Sequence, residues 1–437
     1  MSGHAHDGLT WDAARRLLHG LASPAPERVP LGAAIGRVTS EPVRAPRALP
    51  HYESSAMDGW AIAGPGPWRL VAGSGSHRAG PALAPGTAAP ILTGGALPAG
   101  ATGVLRSEHG VVEGGTGTDT GTDTDTDTDT DTDTEGMLRR RLMPESAADS
   151  NIERRRGIGQ SADSDSMRRR DIRPAAEEAQ AGNELVPAGR RLSAFAVSLL
   201  ATAGIDEVAV AHRPRAAVFV TGDEVIAGGM PDAGQVRDAF SAPISALLSG
   251  WGAEVVATGI IPDAPASITA ALTGAGAAAS GPSLIITTGG TAHSAADHLR
   301  AATAAAGYEP VLDGVDLRPG RHTFVARRPG TQQWVACLPG NPLAAFCALV
   351  IVVEPLLAGL LGLPHAEPAH VALLADSPTD VPRVTPVVLD GTTARPVAHR
   401  NAHMLRGLAG ADALAVQPAG TGPGPVAAPV FPLPLPR

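Results

Sequence analysis

Residues 216–220 (AAVFV) form an apolar run with no polar alternation, and it stops at Thr221-Gly222 to deliver two adjacent carboxylates, Asp223 and Glu224. A run of this kind suits a strand buried on both faces, as in a parallel sheet covered by helices. A glycine at its carboxyl end lets the backbone turn sharply, and that edge is where open α/β sheets bind ligands. Taken alone, the stretch also fits a capped loop carrying solvated acids. What surrounds it along the chain decides between the two.

Strand and helix signals alternate from residue 214 to residue 362. After 216–220 comes a helix with Phe240, Ile244, Leu247, Leu248 and Trp251 on one face. A strand is expected over 254–261, then a helix opening at Pro265, a residue suited to a first turn. Residues 284–287 form a third strand ending in Thr288-Gly289-Gly290, followed by a helix bearing Ala295, Leu299, Ala302 and Ala306. Residues 334–338 form another, ending in Pro339-Gly340-Asn341-Pro342. Serial βα units predict a parallel sheet with helices on both faces. The apolar stretch 343–361 contains Glu354 and Pro355 and is expected to be a core helix rather than a membrane span.

Around this α/β core the pattern changes. Thr10 is placed to cap a helix through Leu21, a second short helix is expected over 31–38, and residues 60–112 carry short apolar runs broken by Gly and Pro, a β-rich module. Runs at 371–374, 384–388, 413–416 and 426–430 predict a small terminal β domain. The domains expected are a discontinuous linking domain (1–46 and 171–208), the β-rich module (47–112), the α/β domain (209–364) and the terminal β domain (365–437). Residues 113–170 are expected to be a disordered insert, because a Thr-Asp repeat repels itself and has nothing apolar to bury. Its three Arg triplets, 139–141, 154–156 and 168–170, read as solvated charge that partly balances the repeat.

The formal charge is −9, and seven of the acids lie in that repeat, so neither nucleic acid nor an anionic membrane is an indicated partner. Two cysteines, Cys337 and Cys347, exclude a disulfide framework or a cysteine-rich zinc site and are expected to be small core residues. His51, His293 and His322 fit no zinc spacing. The opening MSGHAHDGLT has no charged-then-apolar leader, and a cytoplasmic protein is expected.

Four glycine turns in the α/β region, at 221–223, 234–238, 287–290 and 338–341, let backbone N–H groups approach an anion. None is a Walker A or dinucleotide fingerprint. Asp223, Glu224, Asp238, Asp263 and Asp297 fall after strands or at helix starts, and Arg318 and Arg321 supply opposite charge. Acids beside a phosphate site suit bridging Mg²⁺. Helix capping is the competing role for Asp238, Asp263 and Asp297.

Together SSAMDGWAI (54–62), ILTGGALPAGA (91–101), TGDEV (221–225), GQVRDAF (234–240), TTGG with Asp297, LRPGR (317–321) and LPGNP (338–342) closely resemble the molybdopterin molybdenumtransferase family, to which the E domain of gephyrin is related. HMLRGL (403–408) is a weaker match. The resemblance implies an α/β multidomain fold with a central molybdopterin-binding domain, in a four-domain, elongated homodimer. It also implies insertion of molybdate into adenylylated molybdopterin with Mg²⁺-dependent release of AMP, downstream of a molybdopterin adenylyltransferase.

By position, the resemblance makes Asp58, Thr93, Glu178 and Glu224 the catalytic candidates, with Thr93 on a turn that in the family faces the other subunit. Gly222, Asp238, Asp263, Gly289, Gly290, Asp297, Arg318, Arg321, Pro339, Gly340, Asn341 and Pro342 become the ligand candidates. Asp223, Glu224 and Asp238 become the metal candidates. The chain departs from the family at Phe240 (usually Asn), at Ala292-His293-Ser294 (Ser-Val-Gly) and at Arg318, Arg321 and His322 (Lys, Lys, Pro). It departs again at Ala176 (Gly) and at Arg406 and Gly407 (Ser, Ser). A protein that holds the pterin or the finished cofactor without efficient insertion is the alternative these changes raise.

Overall fold

A computed structural model describes residues 6–74, 77–113, 136–140, 171–277, 281–289 and 295–433. The chain forms two compact units: Met1–Val43 with Val186–Ser198 and Asp206–Arg437, and Arg44–Leu185 with Leu199–Ile205.

The first unit is built on a seven-stranded sheet. From one edge its strands are His6–Thr10, Glu309–Asp316, Phe324–Arg327, Trp334–Leu338, Leu284–Thr288, Arg215–Thr221 and Glu254–Ile261. The last four run parallel, as the apolar runs predict. Phe324–Arg327 departs from the all-parallel expectation and is antiparallel to both neighbours. Residues 317–323 and 328–333 are too few for a crossover, which needs about a dozen or more, so hairpins are the only way to join these strands.

Alternate side chains of each central strand feed opposite faces of the sheet. Val218, Val220 and Ile286 pack with Ile244, Leu248 and the helical stretch after Pro342, while Ala217, Ile285 and Val335 pack with Ile268, Leu272 and Leu299. This two-faced burial is why the runs show no polar alternation. The stretch Pro342–Leu360 has the length and hydropathy of a membrane span but is almost wholly buried in the core. It widens into a π turn at Leu349–Val353, where Arg15 of the first helix, Trp11–Leu21, donates to the Ile351 carbonyl at 3.0 Å. Thr10 caps that helix, accepting from the Ala13 amide at 3.3 Å. A closed five-stranded barrel of Ala369–Ala375, Thr393–Pro396, Arg383–Asp390, Ala413–Gln417 and Gly424–Pro432 completes the unit.

The helix expected over 31–38 is a single 3₁₀ turn, Leu31–Ala33. Gly32 and Gly36 weaken a helix there. The flanking residues are also claimed by sheet pairing, since Pro26–Pro30 lies antiparallel to Glu207–Ala211 and Val38 and Thr39 bridge Arg191 and Val210.

The second unit contains the β-rich module, a six-stranded sheet ordered Gly103–Arg106, Gly59–Ile62, Thr87–Ile91, Trp68–Leu70, Met137–Arg140 and Gly110–Glu113. Met137–Arg140 lies inside the segment expected to be disordered. It is ordered because Leu138 is fully buried against the Trp68 cluster and Arg139 pairs with Glu113 at 2.9 Å. Residues 114–135 and 141–170 of the expected insert lie outside the described residues.

Candidate functional site

Strands Arg215–Thr221, Leu284–Thr288 and Trp334–Leu338 are adjacent, parallel and in register, with Val220 beside Thr288 and Thr288 beside Leu338. Their glycine turns therefore leave from one edge of the sheet. Thr221 Oγ1 donates to the Thr288 carbonyl at 2.8 Å, and the Gly289 amide donates to the Leu338 carbonyl at 3.3 Å. Gly289 has φ +96°, and a Cβ there would lie 2.6 Å from both the carbonyl and the hydroxyl oxygen of Thr221. Only glycine lets the turns approach this closely. Gly340 closes the row, since a Cβ on it would sit 3.4 Å from Gly289 Cα.

These turns floor a cleft of about 1300 Å³. Thr221, Gly222, Glu224, Asp263, Gly289, Pro339, Gly340 and Asn341 come from the sheet edge, and 318–322 form one wall. The barrel supplies another wall through Ser377, Arg383, Val384, Thr385, Arg400, Asn401 and Ala402. The two walls are joined by backbone: the Arg318 amide donates to the Pro382 carbonyl at 2.9 Å and the Val384 amide donates to the Arg318 carbonyl at 2.7 Å.

Four guanidinium groups line this cleft against two carboxylates. Arg318 and Arg321 are exposed, while Arg383 and Arg400 are half-buried. Arg383 donates to Ser377 Oγ at 2.8 Å, and Arg400 donates to the Val397 carbonyl at 2.8 Å and pairs with Asp376. Burial works against the Asp376 carboxylate, but the Arg400 pair outweighs it and holds its pKa below the ordinary value. Glu224 folds back over the turn, its Oε2 2.7 Å from where a Cβ on Gly222 would lie. Asp263 Oδ1 is buried with no hydrogen-bond partner among the described residues. A basic cleft with close-approach glycine turns has the charge and shape that suit a multiply charged anion.

Residues 9–204 match the family described as "MoeA N-terminal region (domain I and II)", and residues 217–359 match "Probable molybdopterin binding domain". A molybdopterin molybdenumtransferase of Nostoc sp. is 28% identical over 359 residues, covering 79% of this chain and 72% of that protein. Molybdopterin molybdenumtransferase 2 of Mycobacterium tuberculosis is 28% identical over 381 residues, covering 82% of this chain and 81% of the relative. A crystal structure of a molybdopterin biosynthesis MoeA protein from Pyrococcus horikoshii superposes with a TM-score of 0.74 at 21% identity, over 98% of this chain and 99% of that one. The chain belongs to the molybdopterin molybdenumtransferase family.

Against the molybdopterin molybdenumtransferase pattern, the structure brings nine of the sequence-marked residues into one cleft: Gly222, Glu224, Asp263, Gly289, Arg318, Arg321, Pro339, Gly340 and Asn341. Asp223, Asp238 and Pro342 do not line it. Asp223 Oδ1 accepts the Asp263 amide at 3.3 Å. Asp238 takes the capping role, accepting the Phe240 and Ser241 amides at 2.8 and 3.0 Å. Burial raises the Asp238 pKa, and the hydrogen bonds from Ser241 and Phe240 more than reverse that. Pro342 opens the core helix. Gly290 and the Ala292–Ser294 departure lie outside the described residues, as does the side chain of Asp297.

Asp58, Thr93 and Glu178 belong to the second unit. Asp58 Oδ1 accepts the Thr93 amide at 2.6 Å, and the exposed Glu178 donates its amide to the Leu49 carbonyl at 2.9 Å. Phe240, a departure from the molybdopterin molybdenumtransferase pattern, is buried in the core near Phe346 and does not line the cleft. Cys337 and Cys347 are fully buried, and burial pushes the Cys337 thiol up to about 12. His322 is at the cleft wall, while His51 packs edge-on against Tyr52. Sequence reasoning missed Arg383 and Arg400. Arg383 is an isolated arginine at the start of a barrel strand and Arg400 one in the loop that follows Thr393–Pro396, and only barrel closure carries them to the cleft.

Proposed function

We propose that this chain is a molybdopterin molybdotransferase: it inserts molybdate into adenylylated molybdopterin and releases AMP. The observation that carries this reading is the four-arginine cleft where three glycine turns meet, in a member of this family. Phosphate and molybdate are both tetrahedral oxyanions, and guanidinium groups bind such groups through paired N–H donors. The turns at Gly222, Gly289 and Gly340 carry no side chain between the backbone and the phosphate, and the arginines of the two walls hold the second oxyanion beside the dithiolene. Holding both converts an encounter of two anions into a step within one complex. Water cleaves the bond from the adenylyl phosphorus to the pterin phosphate and AMP leaves; the two dithiolene thiols give their protons to one oxo group of molybdate, which departs as water as the two sulfur–molybdenum bonds form.

Among the described residues no three His, Cys, Asp or Glu side chains gather into a metal cage. Mg²⁺ does not need one, since it is commonly held by one or two carboxylates together with substrate phosphates. Glu224 and the unpartnered Asp263 fit that role better than Asp223 or Asp238, whose carboxylate oxygens already serve the backbone. Mg²⁺ held by Glu224 and Asp263 would offset charge on the phosphoryl oxygens. In this reading Asp58 takes part in the molybdenum step, the protein works as a homodimer, and a molybdopterin adenylyltransferase supplies its substrate. A cofactor-holding protein without turnover is less well supported, because the Phe240 substitution that suggests it points into the core.

The test is AMP release from adenylylated molybdopterin with molybdate and Mg²⁺. Wild type should release AMP, chelation should stop it, and Glu224→Gln should slow it at least a hundredfold. Tight substrate binding with no AMP from wild type would replace the transferase with the holding protein. Light scattering at the mass of a single chain would remove the homodimer.

A further inference from the structure

Asp58 sits in a three-residue link, 56–58, between two strands. Ser54–Ser55 precedes it and pairs with Ile172–Arg173, so that Ser55 faces Ile172. Gly59–Ile62 follows and pairs with Gly103–Arg106, so that Gly59 faces Arg106. The two partner strands are joined to each other directly beneath the link. Arg106 Nε donates to Asp171 Oδ2 at 2.9 Å and Arg106 Nη2 to Asp171 Oδ1 at 2.8 Å, a bidentate pair. The Asp171 side chain is 16% exposed.

Each member also holds the link through adjacent backbone. The Asp171 carbonyl accepts the Ala56 amide at 2.7 Å, and the Ser107 amide, one residue past Arg106, donates to the Asp58 carbonyl at 3.0 Å. The exit is equally constrained, because Gly59 has φ +152° and a Cβ there would fall 2.1 Å from the Leu105 carbonyl oxygen. Link, flanking strands and ion pair make a closed ring around residues 56–58.

We propose that Arg106 and Asp171 are positioning residues for Asp58, a paired clamp that fixes the carboxylate for the molybdenum step. The catalytic value of the clamp rests on the function proposed above, whereas its mechanical value does not. A bidentate guanidinium–carboxylate pair is geometrically specific, and it is only partly exposed to solvent screening. Misplacing a reacting group by about 1 Å costs on the order of a hundredfold in rate.

Asp171 itself has φ +61°, a conformation that asparagine also tolerates, so Asp171→Asn removes the charge without disturbing the backbone. In the full-length protein, hydrogen exchange of peptides covering 54–60 and 104–109 should become at least tenfold faster in Asp171→Asn at an unchanged melting temperature. The kcat for AMP release should fall about tenfold with KM unchanged, and Arg106→Lys, which keeps charge but loses the fork, should show the same pattern more weakly. Unchanged exchange in Asp171→Asn overturns the clamp, as does a loss that appears only in KM. Asp58→Asn assayed in parallel separates the two readings: full activity there defeats the catalytic role of Asp58, while the exchange result still decides whether the clamp exists.

Discussion

The Asp58 carboxylate accepts the Thr93 amide at 2.6 Å, across 35 residues of chain and between two loops of the second unit. The Thr93 backbone donor is the main reason the Asp58 pKa lies below its ordinary 3.8, with the Thr93 side chain next and burial opposing weakly. For a carboxyl depressed in the folded state, the stabilisation is full above the ordinary value and is lost as pH falls through the depressed one. Asp58 is therefore ionised at any working pH, and the acid limb of an activity profile should not belong to it. Thr93→Ala keeps the amide and should raise the Asp58 pKa only slightly. Carbon-detected NMR titration of the Asp58 carboxyl in both proteins checks this, and a wild-type midpoint at or above 3.8 would contradict it.

Gly289→Ala tests the meeting of the turns. Its φ of +96° disfavours any Cβ, and the new methyl would press on the Thr221 carbonyl and hydroxyl at 2.6 Å. Positive-φ strain and displaced backbone together cost on the order of 1–3 kcal/mol. Denaturant unfolding should show that loss, and the affinity for AMP should fall with it. A stable variant with unchanged AMP binding would mean the row of glycines does not shape the cleft.

The barrel arginines carry a separate expectation. Arg383→Ala should weaken binding of AMP or molybdate about tenfold, the scale of one charge-assisted hydrogen bond lost. The wild-type affinity should drop as salt is raised, and Arg383→Ala should be less salt-sensitive. Isothermal titration at low and moderate ionic strength measures both. Equal affinity for the two proteins would confine anion binding to Arg318 and Arg321.

Much of this cleft was legible because its parts are local. The runs 216–220, 284–287 and 334–338 identify buried parallel strands, and Gly222, Gly289 and Gly340 mark their carboxyl ends before any coordinates are known. Arg383 and Arg400 were not legible, since their place depends on five short barrel strands closing on themselves. Asp238 matches an acidic position of the family's ligand site, while the helix that begins at Ser241 uses the same carboxylate as a cap. Leu138 was lost to its surroundings. One short apolar pair inside a low-complexity segment has no period to reveal it, yet Trp68 completes a core around it.

Ala176 departs from a family glycine, and the backbone still follows the glycine. It has φ +63°, where an L-residue costs about 1–2 kcal/mol, and its amide donates to the Pro50 carbonyl at 2.8 Å. Glycine would relieve that strain and lose about 0.5–1 kcal/mol to unfolded-chain entropy. Ala176→Gly should therefore stabilise the second unit by about 0.5–1 kcal/mol, a rise of roughly 2–4 °C at the upper end. Calorimetry showing a lower melting temperature would mean that the backbone adjusts to alanine elsewhere.

Arg15 should be the most costly single side chain to remove from the first unit. It is 3% exposed, donates to the Ile351 and Ala366 carbonyls at 3.0 and 3.3 Å, and stacks 4.7 Å from the Phe431 ring centroid. Glu354 lies 4.0 Å away, and burial raises its pKa despite Arg15 and His19. Arg15→Met keeps the bulk but leaves a largely buried carboxylate without its guanidinium and a π-turn carbonyl without its donor. Breaking such a pair costs on the order of 3 kcal/mol. The sign of the pH dependence follows from Glu354. Below its ordinary 4.5 it is protonated in both folded and unfolded chains, and as pH rises through the raised folded value the unfolded chain ionises more readily. The Arg15→Met defect should therefore be smallest in acid and grow toward neutral pH, and Arg15→Met with Glu354→Leu should recover most of it. Urea unfolding of the three proteins at acid and neutral pH measures this, and a defect independent of pH would show that the lost carbonyl contacts, not the unpaired charge of Glu354, set the cost.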